Sequence, residues 1–268
     1  MTRPLRLYGH RGASGVAPEN TIVSFAQALS DGASALELDV HRTKDGEIVV
    51  VHDDDGRRMA NDGRAIDALT LEQVRGLDVG WGFVDDTGAR PFAGRGLHPP
   101  LLRDVLKAFP GVAVNVDLKR GDAGVREGTI AVVEACGAVD RVLLTAFSDD
   151  VIDAVVALGW RGQTGLAKNA VRALRLLPLV LARRALKRHV ARGKSRLQIP
   201  PQAGGVRLDA AWFIDRAHDL GFAVDYWVIN DLAQAKVLVE RGADGLMSDH
   251  PARLRGLVPS PLSVATPT

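Results

Sequence analysis

Glu37 and Asp39 stand two residues apart inside the otherwise apolar run "ALELDV". Successive side chains of a strand point to opposite faces, so the two carboxylates share one face while Leu36, Leu38 and Val40 take the other. "NVDLK" repeats the pattern, with Asn115, Asp117 and Lys119 on one side and Val116 and Leu118 on the opposite one. A carboxylate within a strand is expensive to bury unless a cation meets it. Two readings therefore stand open. Either Glu37, Asp39 and Asp117 converge on a hard divalent ion such as Ca²⁺ or Mg²⁺, which prefers oxygen ligands, or each pairs with a basic neighbour such as Arg11 or Lys119.

His10 and His52 close the apolar runs "LRLYGH" and "EIVVVH". Two imidazoles beside an acidic cluster can divide the work of general base and general acid, because the ring titrates near neutral pH. Arg11 and Lys119 add positive charge, which suits an anion that gains charge in the transition state, a phosphate ester above all. Gly12 lets the backbone approach closely or take a positive φ. The other histidines, His41, His98, His189, His218 and His250, read as surface or loop residues. No GxGxxG follows a strand and no GxxxxGK[ST] is present, so a nucleotide cofactor has no support. GxSxG is missing too, and the single cysteine, Cys136, lies in a helical-looking run, which disfavours an acyl hydrolase.

Such residues need a scaffold that brings strand ends together. Eight short apolar runs, "LRLYG", "ALELDV", "VAVNVDL", "RVLLTAF", "QTGLA", "RLQIP", "FAVDYWVI" and "DGLMSD", alternate with longer stretches. Several of those stretches carry helix signals: Ile22, Phe25, Ala26 and Leu29 share a face, and Thr70 with Gln73 forms a capping box. Eight strand–helix units predict an α/β fold, a (β/α)₈ TIM barrel, with an open doubly wound sheet as the alternative. Lys44-Asp45-Gly46 predicts a hairpin that folds the second strand back on itself. Residues 53–100 are too long for an ordinary loop and read as a small insertion after that strand, at the barrel mouth. A single domain is expected over 1–258, followed by a flexible Pro/Ser/Thr-rich tail at 259–268.

With 46% hydrophobic and 25% charged residues the composition is that of a globular chain. The lone cysteine excludes an internal disulfide, and neither a signal-like apolar segment nor a membrane-spanning run is present, so a cytoplasmic location is expected. The net charge of +2 hides a block from Lys168 to Leu208 that carries eleven Lys/Arg and no acidic residue. Its part at 168–196 mixes these cations with leucines. That fits peripheral contact with an anionic membrane, and equally a barrel helix with a solvated basic face. No aromatics interleave with the charge, so nucleic acid is not the expected partner.

"HRG…PENT", "ELDVHRTKDGEIVVVHDD", "NVDLK", "YWVIN" and "GADGLMSDHP" resemble, in order and spacing, the signatures of the glycerophosphodiester phosphodiesterase family, from Leu7 to Pro251. The resemblance implies a TIM barrel with a small segment inserted after the second strand. It also implies metal-dependent hydrolysis of small glycerophosphodiesters to sn-glycerol 3-phosphate and an alcohol. Carried over by position, it makes His10 and His52 the acid–base pair, Glu37 and Asp39 metal ligands, Arg11 and Lys119 phosphate contacts, and Trp227 a wall against the glycerol moiety. Asp117 stands where the family usually has Glu, one methylene longer. Two alternatives accompany this reading. One is a lysophospholipase D-type activity on acylated substrates at a membrane surface; the other is a non-catalytic module binding phosphate or a lipid head group.

Overall fold

All eight apolar runs form parallel strands: β1 (Arg6–His10), β2 (Ala35–Arg42), β3 (Ala113–Leu118), β4 (Val142–Thr145), β5 (Gln163–Leu166), β6 (Ser195–Ile199), β7 (Ala223–Tyr226) and β8 (Gly245–Ser248). Each pairs with the next in sequence, and β8 pairs back onto β1, which closes the sheet. The chain is thus a (β/α)₈ barrel, and the open-sheet alternative is ruled out by that last pairing. These positions come from a computed structural model that describes residues 4–258. The tail expected at 259–268 lies outside the described residues.

Alternation along the strands sorts the side chains as the sequence implies. Outward-facing Leu36, Leu38, Val40, Val114 and Val116 pack with Phe25, Leu102 and Trp160 into one buried layer. On the other side of the barrel, Leu197, Val224 and Leu246 pack with Leu174, Phe213 and Phe222. Burying each such side chain contributes about 1.5–3 kcal/mol, so these layers between strands and helices hold the barrel closed. The helix Ile22–Ser30 begins where Thr21 Oγ1 accepts the Ser24 N–H, and it buries Phe25 and Ala28 against the sheet.

Inside the barrel, polar residues plug the lower half. Arg196 Nε donates to Asp225 Oδ2 at 2.6 Å, and the Tyr8 hydroxyl donates to the same oxygen at 3.3 Å. Burial pushes the Tyr8 hydroxyl up to about 12, with the Asp225 charge adding to it. With this floor filled, open space is left at the C-terminal ends of the strands.

Two segments depart from plain alternation. Lys44-Asp45-Gly46 turns β2 into an antiparallel strand at Ile48–Val50, with Gly46 at φ +95°. Residues 53–100 then form a two-stranded ribbon (Asp55–Gly56 with Asp62–Ala65) and short helices, including Leu71–Arg75 with the expected Thr70–Gln73 capping box. Their apolar side chains, Ile66, Leu69, Val74 and Leu77, gather with Val49 and Val51 into a core of their own. The basic segment forms three short helices, Lys168–Leu176, Leu179–Ala185 and Lys187–Arg192, rather than one long amphipathic helix, because Pro178 begins a new one. Arg196, at the end of that segment, turns inward to Asp225 and so is no part of a solvated basic face. Among the described residues no helix is long and apolar enough to cross a membrane.

Candidate active site

A cavity of about 280 Å³ opens at the C-terminal ends of the strands, and all eight residues singled out from the sequence line it: His10, Arg11, Glu37, Asp39, His52, Asp117, Lys119 and Trp227. Parallel register brings them together. His10 on β1 lies opposite Glu37 on β2, Glu37 opposite Asn115, and Asp39 opposite Asp117 on β3. Every second residue of three adjacent strands therefore faces the same space.

The turn after β1 is built to aim Arg11. Its φ is +54°, a left-handed conformation that costs a non-glycine residue about 1–3 kcal/mol. Three hydrogen bonds hold it there. The Arg11 N–H donates to Glu37 Oε2 at 3.0 Å, and the Arg11 carbonyl accepts from the Asn20 N–H and the Ser24 hydroxyl. Gly12 follows at φ +88°, and a Cβ there would lie 2.3 Å from Ser24 Oγ, so the turn requires glycine. The Arg11 guanidinium pairs with Asp39 at 3.2 Å and Glu19 at 3.1 Å.

Each cavity histidine is held through Nδ1 by a carboxylate. His10 Nδ1 donates to Asp249 Oδ1 at 2.7 Å, and His52 Nδ1 donates to Asp53 Oδ1 at 2.7 Å. That fixes both rings and leaves Nε2 of each to exchange a proton. Burial pulls the His10 pKa down, but the Asp249 hydrogen bond and the Glu37 charge outweigh it, and the net shift is upward. Burial pushes Asp249 up, yet hydrogen bonds from His10, Asn230 and Ser14 hold it well below the usual carboxylate range. Asp53 in turn accepts from Arg58 Nε at 2.7 Å, and Arg58 also grips Glu19. The inserted segment thereby ties His52 to the support of Arg11.

The carboxylates are unequal. Lys119 Nζ bridges Asp39 Oδ1 at 2.8 Å and Asp117 Oδ2 at 2.6 Å. Burial pushes Asp39 up, but Lys119 and Arg11 bring it below its ordinary value. Burial raises Asp117 despite Lys119. Glu37, with no cationic side chain as close as Lys119 is to Asp39, is pushed up to about 7 by burial and by the Asp39 charge. The ion-pair reading of the sequence thus describes Asp39 and Asp117, and among the described residues no three His, Cys, Asp or Glu side chains are gathered around a metal position. The donor set nevertheless suits a hard cation. It consists of carboxylate oxygens, and among the described residues the buried Asn115 Oδ1 beside them finds no hydrogen-bond partner.

Sequence reasoning left several contributors without a role. Asp249 stood in "SDHP" and Asp53 in "HDD", but only folding brings Asp249 to His10 across 239 positions. His41, expected at the surface or in a loop, is buried, and its Nε2 donates to the His52 carbonyl at 3.1 Å. Burial lowers its pKa, so the neutral ring is a fixed strut behind His52. By alternation it shares the face of Glu37 and Asp39, but it lies beyond the cavity lining, at the strand end where the hairpin returns.

The sequence profile described as the Glycerophosphoryl diester phosphodiesterase family matches residues 10–253. The glycerophosphodiester phosphodiesterase of Caldanaerobacter subterraneus is 29% identical over 93% of this chain and 96% of its own length. Human lysophospholipase D GDPD1 is 27% identical over 92% of this chain and 83% of its own. Among solved structures, the glycerophosphoryl diester phosphodiesterase domain of protein Rv2277c from Mycobacterium tuberculosis superposes with a TM-score of 0.80 at 17% identity, covering 95% of this chain and 99% of that one.

Proposed function

The chain belongs to the glycerophosphoryl diester phosphodiesterase family, and we propose that it hydrolyses glycerophosphodiesters to sn-glycerol 3-phosphate and an alcohol, using His10 and His52 as its acid–base pair. The observation that carries this reading is the pair of imidazoles, each fixed through Nδ1 by its own carboxylate, facing one small cavity whose cations suit a phosphate. A module that only bound phosphate would need the cations but not two oriented proton carriers.

In this mechanism Arg11 and Lys119 neutralise the phosphate oxygens, and Trp227 bounds the glycerol. His52 accepts the proton of a glycerol hydroxyl as that oxygen attacks phosphorus. His10, whose raised pKa favours the protonated form, donates to the departing alkoxide. A cyclic phosphodiester results, and water opens it with the two roles exchanged. Each such proton transfer is worth about 10²–10⁴-fold in rate. Glu37, Asp39 and Asp117 would hold a divalent cation, Ca²⁺ or Mg²⁺, which when bound supplies positive charge to the phosphate and lowers the pKa of the attacking hydroxyl. Lys119 must then share Asp39 and Asp117, and the shorter Asp117 leaves more room at that corner.

Release of glycerol 3-phosphate from glycerophosphocholine, measured with Ca²⁺, Mg²⁺ or EDTA, tests the proposal. Metal-supported release that EDTA abolishes is expected. Release of equal rate in EDTA would overturn the cation's part, and no release under any condition would overturn the activity.

A further inference from the structure

Asn115 stands among the cavity carboxylates on β3 and takes no part in their ion pairs. It is 2% exposed, and among the described residues its Oδ1 accepts no hydrogen bond. A buried side-chain oxygen without a donor is rare in a folded protein, because it has given up water and received nothing. The register accounts for the lack. Asn115 lies between Glu37 on β2 and Leu143 on β4, and an ionised carboxylate and an alkyl chain offer it no hydrogen. Two places further along β3, on the same face, comes another carboxylate, Asp117.

The donors around the cavity are committed elsewhere. The Thr145 hydroxyl, on the next strand, donates to the Val116 carbonyl. Lys119 Nζ bridges Asp39 and Asp117. The Arg11 N–H goes to Glu37, and its guanidinium to Asp39 and Glu19. An oxygen that faces a cavity and is walled by acceptors is matched by a cation.

The carboxylates are less free than their number suggests. Both oxygens of Asp39 are engaged, Oδ1 by Lys119 at 2.8 Å and Oδ2 by the Asn20 amide at 2.9 Å and Arg11 at 3.2 Å. Asp117 Oδ2 is held by Lys119 at 2.6 Å. Among the described residues, Glu37 and Asn115, side by side across β2 and β3, have no ion pair with a Lys or Arg side chain.

We propose that Asn115 Oδ1 is a fourth protein ligand of the divalent cation, anchoring it together with Glu37 while Asp39 and Asp117 are shared with Lys119. The assignment rests on the cation's part in the hydrolytic reading and adds a ligand to the three carboxylates named there. Hard cations take amide carbonyl oxygens as readily as carboxylates when the shell needs filling. A neutral amide also supplies an oxygen without a fourth negative charge in a site where three carboxylates already crowd.

Calorimetric titration of the whole protein with Ca²⁺ and with Mg²⁺, without substrate, tests the proposal, alongside melting of the metal-free protein. Asn115→Leu keeps the branched shape of the side chain and removes its oxygen. It should weaken ion binding by at least about tenfold. The metal-free variant should melt no lower than wild type, since Oδ1 has no hydrogen bond to lose. Asn115→Asp, which returns an oxygen to the same place, should bind the ion at least as tightly as wild type. Unchanged affinity in Asn115→Leu would overturn the ligand role, and a raised KM for glycerophosphocholine beside it would make Asn115 a substrate contact instead. If Asn115→Leu melts lower, Asn115→Asp decides: wild-type affinity upholds the ligand role and lost affinity overturns it. No binding of either ion by the wild-type protein would overturn the cation's part in the hydrolytic reading, and this ligand with it.

Discussion

The two halves of the barrel mouth do different physical work. The arc formed by β1, β2 and β3 carries His10, Glu37, Asp39, Asn115, Asp117 and Lys119, an ion-pair lattice in which nearly every charge has a fixed partner. The arc formed by β4, β5 and β6 replaces these with Thr145, Gly165 and Gln198, and continues outward as apolar surface. The charged arc is tightly ordered by hydrogen bonds and ion pairs of 2.6–3.2 Å. Charge discriminates strongly by position and suits a reaction centre, whereas apolar surface tolerates variation in its occupant and suits the non-reacting part of a substrate.

Substitutions on the charged arc should therefore act on turnover, and those on the apolar arc on substrate choice. The largest effect is expected from His52→Ala, and equally from His10→Ala: a loss of about 10²–10⁴ in kcat in a protein that still folds. Near-wild-type kcat in either would remove that histidine from the mechanism. Next comes Asp249→Asn, which deletes a charged hydrogen bond worth about 1.5–3 kcal/mol, or about 10–100-fold in kcat/KM.

The same variant has a pH signature. Asp249 is one of the groups that raise the His10 pKa, so its removal should move the His10 limb of the rate profile to lower pH. It also bears on stability. A carboxylate whose folded pKa is depressed stabilises the fold above its ordinary pKa and loses that contribution as pH falls through it. Wild-type protein should therefore lose more stability than Asp249→Asn when taken to acid, as followed by chemical denaturation at a series of pH values. A limb that stays in place would mean that Asp249 holds the loop rather than the ring.

Arg58→Ala should cost less. Its side chain is about half exposed, and solvent-exposed ion pairs are worth about 0.2–1 kcal/mol, so a change of no more than about fivefold in kcat/KM is expected. A larger loss would show that the inserted segment is part of the reaction centre and not only its brace. Smallest of all is the effect of Leu176→Glu on glycerophosphocholine, which should stay within about twofold, as exposed positions usually do. A strong loss on that small substrate would erase the division between the two arcs.

Much of the charged arc was legible beforehand because strand periodicity is a local property. Glu37 and Asp39 must share a face wherever "ALELDV" is extended, and "NVDLK" obeys the same rule. The eight alternating runs likewise called for a parallel sheet, and the Thr70–Gln73 box and the Lys44-Asp45-Gly46 turn were readable because each is closed by a few neighbouring residues. His41 was misread for a different reason: the hairpin was readable, but the burial of its ring and its hydrogen bond to the His52 carbonyl depend on how that hairpin packs.

The sequence by itself determined which residues could do the chemistry and that they would sit on strands, since side-chain chemistry and backbone period travel with the chain. Only the tertiary structure decided how they pair. Barrel closure sets β8 beside β1 and so delivers Asp249 to His10; register sets Asp117 beside Asp39 and lets one lysine bridge both. The apolar groove is the extreme case. Phe147, Val171, Val206 and Trp227 come from four separate segments, none of them distinctive alone, and they make a surface only because the barrel brings four strand ends and their loops around one opening.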